Sequence, residues 1–139
     1  MVLELTERLE VAEYGPLIAA LAPLRQRGVR IAVDDAGSGF ASMRHVLHIR
    51  PDIIKLDRSL IAGIDDDQGQ RALGAALVEF ARRIGATLVA EGIETQSELA
   101  AITRIGMTAG QGYLLGRPSV RPKDWAAWYT APWHLTEPT

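Results

Sequence analysis

Short apolar runs alternate with longer amphipathic stretches along this chain. Val2 to Leu5 reads as a short buried strand. Pro16 to Arg27 reads as a helix, with Pro16 suited to a first helical position and Leu17, Leu21 and Leu24 on one face. Pro23 inside that pattern predicts a kink or interruption, and Gly28 a stop. Val29 to Val33 is the next strand, Ala41 to Ile49 a short helix stopped by Pro51, and Asp52 to Leu56 a third strand. Gln68 to Ile84 is the longest helix, closed by Gly85. Thr87 to Ala90 is a fourth strand. Thr95-Gln96-Ser97-Glu98 has the form of a capping box, opening a helix that Gly106 ends. A weaker strand leads into Gln111 and Gly112. Residues 121–139, with Trp125, Trp128 and Trp133, are expected to form a terminal helix and a Pro-containing tail.

The alternation predicts an α/β fold. Its pitch matches a (β/α)₈ TIM-type barrel, about 31 residues per unit, here as an incomplete barrel of about five units. A doubly wound sheet competes, and periodicity alone does not separate the two. A faint repeat adds information. Gly28, Gly85 and Gly106 each follow a helix and precede a strand; Asp34 stands six residues after the first, Glu91 six after the second, and Gln111 five after the third. Equal spacing places these polar side chains at the C-terminal ends of successive strands, where parallel α/β folds do their chemistry.

Composition narrows the classes. The 139 residues are 47% apolar and 23% charged, with a net charge of −2 and no cysteine. Disulfides and thiolate metal sites are excluded. The N-terminus lacks the pattern of a signal peptide, and the chain has no apolar run of about 18 residues. A cytoplasmic domain without membrane contact from this segment is expected. Basic residues are scattered, which argues against a nucleic acid polymer as partner. A small anionic ligand remains compatible, since a metal supplies positive charge.

Five polar sites follow or interrupt apolar runs: Glu4 with Glu7, Asp34 with Asp35, Lys55 with Asp57, Glu91 with Glu94, and Gln111. Four or more carboxylates on one barrel mouth would repel, and a divalent cation removes that repulsion. All-oxygen ligands favour Mg²⁺, Mn²⁺ or Ca²⁺ over zinc, and two such ions can clamp an in-line phosphoryl displacement. Lys55 would orient a water or offset phosphate charge. Plainer readings exist. Asp35 suits a turn, Glu7 a helix start, Glu94 the approach to the capping box, and Lys55 a strand-end salt bridge. Glu4, Asp34 and Glu91 resist such readings because each lies within or directly after Val/Leu/Ile-rich sequence. Gly37 and Gly39 allow close backbone approach, but Gly-x-Gly alone is weak evidence for phosphate binding. His45 and His48 are expected at the surface of a short helix and His134 in the tail, and the tryptophans in packing roles.

In order along the chain stand Glu4-Leu5-Thr6-Glu7, Asp34-Asp35-Ala36-Gly37-Ser38-Gly39-Phe40-Ala41-Ser42, Ile54-Lys55-Leu56-Asp57, Val89-Ala90-Glu91-Gly92-Ile93-Glu94-Thr95 and Gln111-Gly112-Tyr113-Leu114-Leu115-Gly116-Arg117-Pro118. Together they resemble the EAL domain of bacterial cyclic-di-GMP phosphodiesterases, over residues 1–120, its C-terminal part. The resemblance implies a (β/α)₈-type barrel hydrolysing cyclic di-GMP to linear pGpG in second-messenger signalling, with two Mg²⁺ or Mn²⁺ ions in the complete site. It implies Glu4 and Asp34 as ligands of one metal and Asp35 of the second. Glu91 is implied as metal ligand or general base, and Lys55 as holder of the attacking water. Gln111, Asp57 and Glu94 are implied to line the site, and Glu7 to anchor the Gly-rich loop. A homodimer is compatible with the resemblance. The family's upstream Glu-Ala-Leu-type segment and a metal-binding Asn precede the matched stretch, so residues 1–139 alone are expected to be inactive. A catalytically degenerate cyclic-di-GMP-binding or regulatory module is the alternative. Ala36 and Phe40 stand where the family loop usually carries Phe and Tyr.

Overall fold

The computed structural model describes residues 1–6, 12–37 and 40–116, and only the backbone of 40–42. Glu7, Ser38, Gly39 and the expected helix and tail at 121–139, with the tryptophans and His134, lie outside the described residues.

The described residues form ten elements, strand followed by helix except where two helices stand together after the third strand. They are β1 (Val2–Leu5), α1 (Tyr14–Gln26), β2 (Arg30–Ala36), α2 (Phe40–Ile49), β3 (Ile53–Leu56), α3 (Arg58–Ile61), α4 (Gln68–Ile84), β4 (Thr87–Ala90), α5 (Gln96–Arg104) and β5 (Ala109–Gly110). The strands form one parallel sheet in the order β1-β2-β3-β4-β5. A doubly wound sheet reverses its strand order at a switch point; this sheet advances one strand at a time, as a barrel wall does.

Side chains alternate faces along a strand, and the register sorts them. Leu3 pairs with Ile31, Leu5 with Val33, and Leu56 with Ala90. Ile31, Val33, Ile54, Leu56, Leu88 and Ala90 join Leu21, Val46, Ile49, Ile61, Ala81 and Ile102 of the helices in one buried cluster. Each such aliphatic side chain contributes about 1.5–3 kcal/mol when fully buried. The opposite face carries the alternate positions, among them Glu4, Asp34 and Lys55.

Local signals account for most boundaries. Asp67 caps α4 by accepting from the Gln70 N–H at 2.9 Å, and Gly85 ends it at φ +73°. The Thr95–Glu98 capping box forms as expected. Three expectations need correction. α1 runs through Pro23 without interruption; a missing N–H costs one hydrogen bond, and Leu21 with the packed Leu17 and Leu24 holds both sides of the proline to the core. β2 continues past Val33 to Ala36, so Ala36 is a fully buried core residue. His45 is buried at 6% exposure, not at the surface. Its Nδ1 lies 2.9 Å from the Tyr14 hydroxyl, while Tyr14 stacks on the exposed His48, so this trio fills the seam between α1 and α2.

Candidate active site

The ladder continues beyond the strands and sets the site. Asp57 N–H donates to the Ala36 carbonyl (3.2 Å), Glu91 N–H to Leu56 (3.2 Å) and Gln111 N–H to Ala90 (2.8 Å). Asp57, Glu91 and Gln111 therefore leave their strands at the same C-terminal end, near which Asp34 and Lys55 stand within β2 and β3. Lys55 stands opposite Val89 in the register, two residues below Glu91.

Lys55 is the hub. Its Nζ lies 2.9 Å from Glu91 Oε1, 3.0 Å from Glu4 Oε1 and 3.7 Å from Asp34 Oδ1, so one ammonium faces carboxylates from three other segments. Burial opposes the ammonium, but hydrogen bonds to Glu91 and Glu4 and the charges of Glu91 and Asp34 outweigh it and raise the Lys55 pKa. Glu91 is pulled both ways. Its burial pushes the carboxyl above the ordinary value and Asp34 adds to the rise, against the hydrogen bond and charge of Lys55. Gln111 Nε2 donates to Glu91 Oε1 at 2.6 Å and fixes its orientation.

Asp34 and Asp35 are adjacent, and in a regular strand they would point to opposite faces. Here the β2–β3 register shifts between Val33 and Ala36, and Asp35 adopts φ +54°. Asp34, Asp35 and Glu91 consequently bring one carboxylate oxygen each to within 4.8 Å of one another. Three hard oxygen donors at that spacing fit a divalent cation of the Mg²⁺, Mn²⁺ or Ca²⁺ type. Glu4 reaches this group through Lys55.

The remaining expected residues divide. Glu94 lines a cleft of about 610 Å³ with Arg58, Gly92, Gln111, Gly112, Tyr113 and Gly116. Asp57 caps α3, accepting from the Ser59 N–H at 2.9 Å, and its hydrogen bonds to the Ser59 side chain and backbone hold its pKa below the ordinary value. Arg58, which sequence reasoning did not single out, pairs with Glu94 at 2.8 Å. Its only sequence signal was its place directly after a candidate pair.

Comparison with known proteins agrees with this geometry. Residues 1–118 match the family model described as EAL domain. The chain is 33% identical over 118 residues to the bifunctional diguanylate cyclase/cyclic di-GMP phosphodiesterase MucR of Pseudomonas aeruginosa, covering 85% of this chain and 17% of that protein. Among solved structures, the EAL domain of Mycobacterium smegmatis DcpA superposes with a TM-score of 0.79 at 32% identity, over 84% of this chain and 52% of its own. The manganese/cyclic-di-GMP complex of Klebsiella pneumoniae BlrP1 gives a TM-score of 0.77 at 32% identity, over 84% of this chain and 30% of its own. The chain thus spans about half of a solved EAL domain and a smaller share of its longer relatives.

Proposed function

Since this chain belongs to the EAL domain family, we propose that its carboxylate–lysine cluster serves metal-dependent hydrolysis of cyclic di-GMP to linear pGpG. The observation that carries the reading is the meeting of Asp34, Asp35 and Glu91 beside Lys55 at one end of the sheet. Asp34, Asp35 and Glu91 would hold divalent ions, Mg²⁺ or Mn²⁺. Such ions, when bound, acidify water and stabilise the attacking and leaving oxygens of a phosphodiester. Glu91, whose burial makes it a stronger base than an exposed carboxylate, is suited to accept the proton of the attacking water. Lys55 offsets the charge that develops on the phosphoryl oxygens. Gln111 keeps Glu91 aimed, and the cleft bounded by Arg58, Glu94 and Tyr113 receives the nucleotide.

Residues 1–139 alone should hydrolyse cyclic di-GMP little or not at all with Mn²⁺, because the family's upstream Glu and Asn ligands are missing from the matched stretch; Glu91→Ala serves as the contamination control. The decisive experiment grafts the upstream half of a relative's EAL domain onto residues 1–118 and follows pGpG by chromatography. Mn²⁺-dependent turnover abolished by Glu91→Gln supports the reading. A folded graft that binds cyclic di-GMP without turnover supports the alternative, a binding or regulatory module. A folded graft that does neither overturns both.

A further inference from the structure

One buried carboxylate that the proposed chemistry does not use is tied into the frame of the site. Glu98 on α5 is 7% exposed. One of its oxygens accepts from the Glu94 N–H at 2.9 Å and the Thr95 N–H at 3.2 Å, and the other from the Gly63 N–H at 3.2 Å. A capping box requires only the bond to Thr95. The bond to Gly63 crosses 35 residues of sequence and joins the turn after α3 to the loop after β4. Burial alone would raise the Glu98 pKa, but the three backbone donors outweigh it and hold the group ionised below the ordinary carboxylate range.

The two segments that Glu98 joins adjoin the cleft beside Arg58 and Glu94. α3 begins with Arg58, and the loop after β4 carries Glu94, its ion-pair partner. Between them the backbone of Gly92, at φ +75°, lies under the Arg58 side chain. A Cβ at that position would fall 2.6 Å from Arg58 Cγ and 2.8 Å from its Cβ, so the approach is already at contact. The Arg58–Glu94 pair itself is largely exposed and weak as a fastener. The bonds of Glu98 are shielded and charge-assisted, and are therefore the stronger link between the same two segments.

We infer that Glu98 is a positioning residue: by bridging Gly63 to Glu94 it holds Arg58 and Glu94 in place along the cleft, so nucleotide binding there depends on it and cation binding at Asp34, Asp35 and Glu91 does not. The identity of the nucleotide rests on the function proposed above. The test uses the full chain with Glu98→Ala and Glu98→Gln. The glutamine retains one acceptor oxygen and must give up either the Gly63 or the Glu94 side. Calorimetry measures Mn²⁺ alone, then cyclic di-GMP with Ca²⁺. The expected result is nucleotide binding weakened by about tenfold or more in Glu98→Ala, the effect of losing a charge-assisted bond, with Glu98→Gln intermediate and Mn²⁺ binding unchanged. Equal losses for both ligands, or none for either, overturn the inference. Should the wild-type chain bind no cyclic di-GMP, the functional reading is decided by the graft described above and the positioning claim by the Arg58 guanidinium resonance. That resonance should move in Glu98→Ala toward its position in Glu94→Ala, and an unmoved resonance overturns the claim.

Discussion

Glu91 and Glu4 bond the same ammonium at almost the same distance, 2.9 and 3.0 Å, from very different parts of the sheet. Glu91 follows an inner strand and its side chain is 15% exposed; Glu4 sits on β1, the edge strand among the described residues, at 47%. Around Glu91 the solvent has been replaced by packed side chains, so the carboxyl is reluctant to ionise and each pairing counts. Around Glu4, water competes for the carboxylate. Two ion pairs alike in length therefore differ in strength and chemistry, and the position of the strand in the sheet makes the difference.

Substitution can break this contrast. Lys55→Met should have the largest effect, about 2–4 kcal/mol of stability by urea denaturation, because it strands Glu91 and Asp34 without their counter-charge. Loss of less than about 0.5 kcal/mol would mean that solvent screens the centre as well as the edge. Double-mutant cycles sharpen the comparison. Lys55→Met with Glu91→Gln should show coupling of about 1–2 kcal/mol, and with Glu4→Gln about 0.5 kcal/mol or less. Equal couplings would remove the distinction.

The edge has its own consequence. Among the described residues β1 pairs only with β2, and Val2 and Leu3 on it are 46% and 36% exposed. Such an edge favours strand-to-strand association. The chain should self-associate in light scattering, and Val2→Lys should lower the apparent mass; a wild-type monomer would contradict this. The smallest expected effect is a pH dependence. Glu98 has a folded pKa below its ordinary 4.5, so the folded state binds fewer protons than the unfolded one. Its contribution is complete above about pH 4.5 and is lost as pH falls below that value. The stability difference between wild type and Glu98→Gln should shrink on that acid limb and stay level above it.

The glycine spacing made one end of the sheet legible: Glu91 and Gln111 leave their strands there, and Asp34 lies near the end of β2. The α4 and β4 limits and the capping box were equally plain, because each is written in residues close to one another. What escaped depended on distant partners. α3 spans four residues, too few for a helical period to register. Pro23 signals a local break that packing on both sides overrides. His45 looks like a surface residue until Tyr14 closes over it. Glu98 announces a cap, but nothing near it announces Gly63. Arg58 gains meaning only from Glu94, which folding brings across from another loop.

The irregularity at Val33 to Ala36 bears on how this stretch can change over time. Because the register shift and the left-handed Asp35 together turn neighbouring aspartates toward one centre, the pair is inherited as a geometry and not as two letters. A point substitution of either aspartate removes one donor and leaves the other aimed. A one-residue deletion between Val33 and Ala36 would remove the extra residue and restore the regular pleat, leaving Val33 and Ala36 on the core face and a single aspartate on the site face. Losing one letter and exchanging it should therefore converge at this point of the chain: deletion of Asp35 and Asp35→Ala should each keep the sheet and each cost the centre one donor.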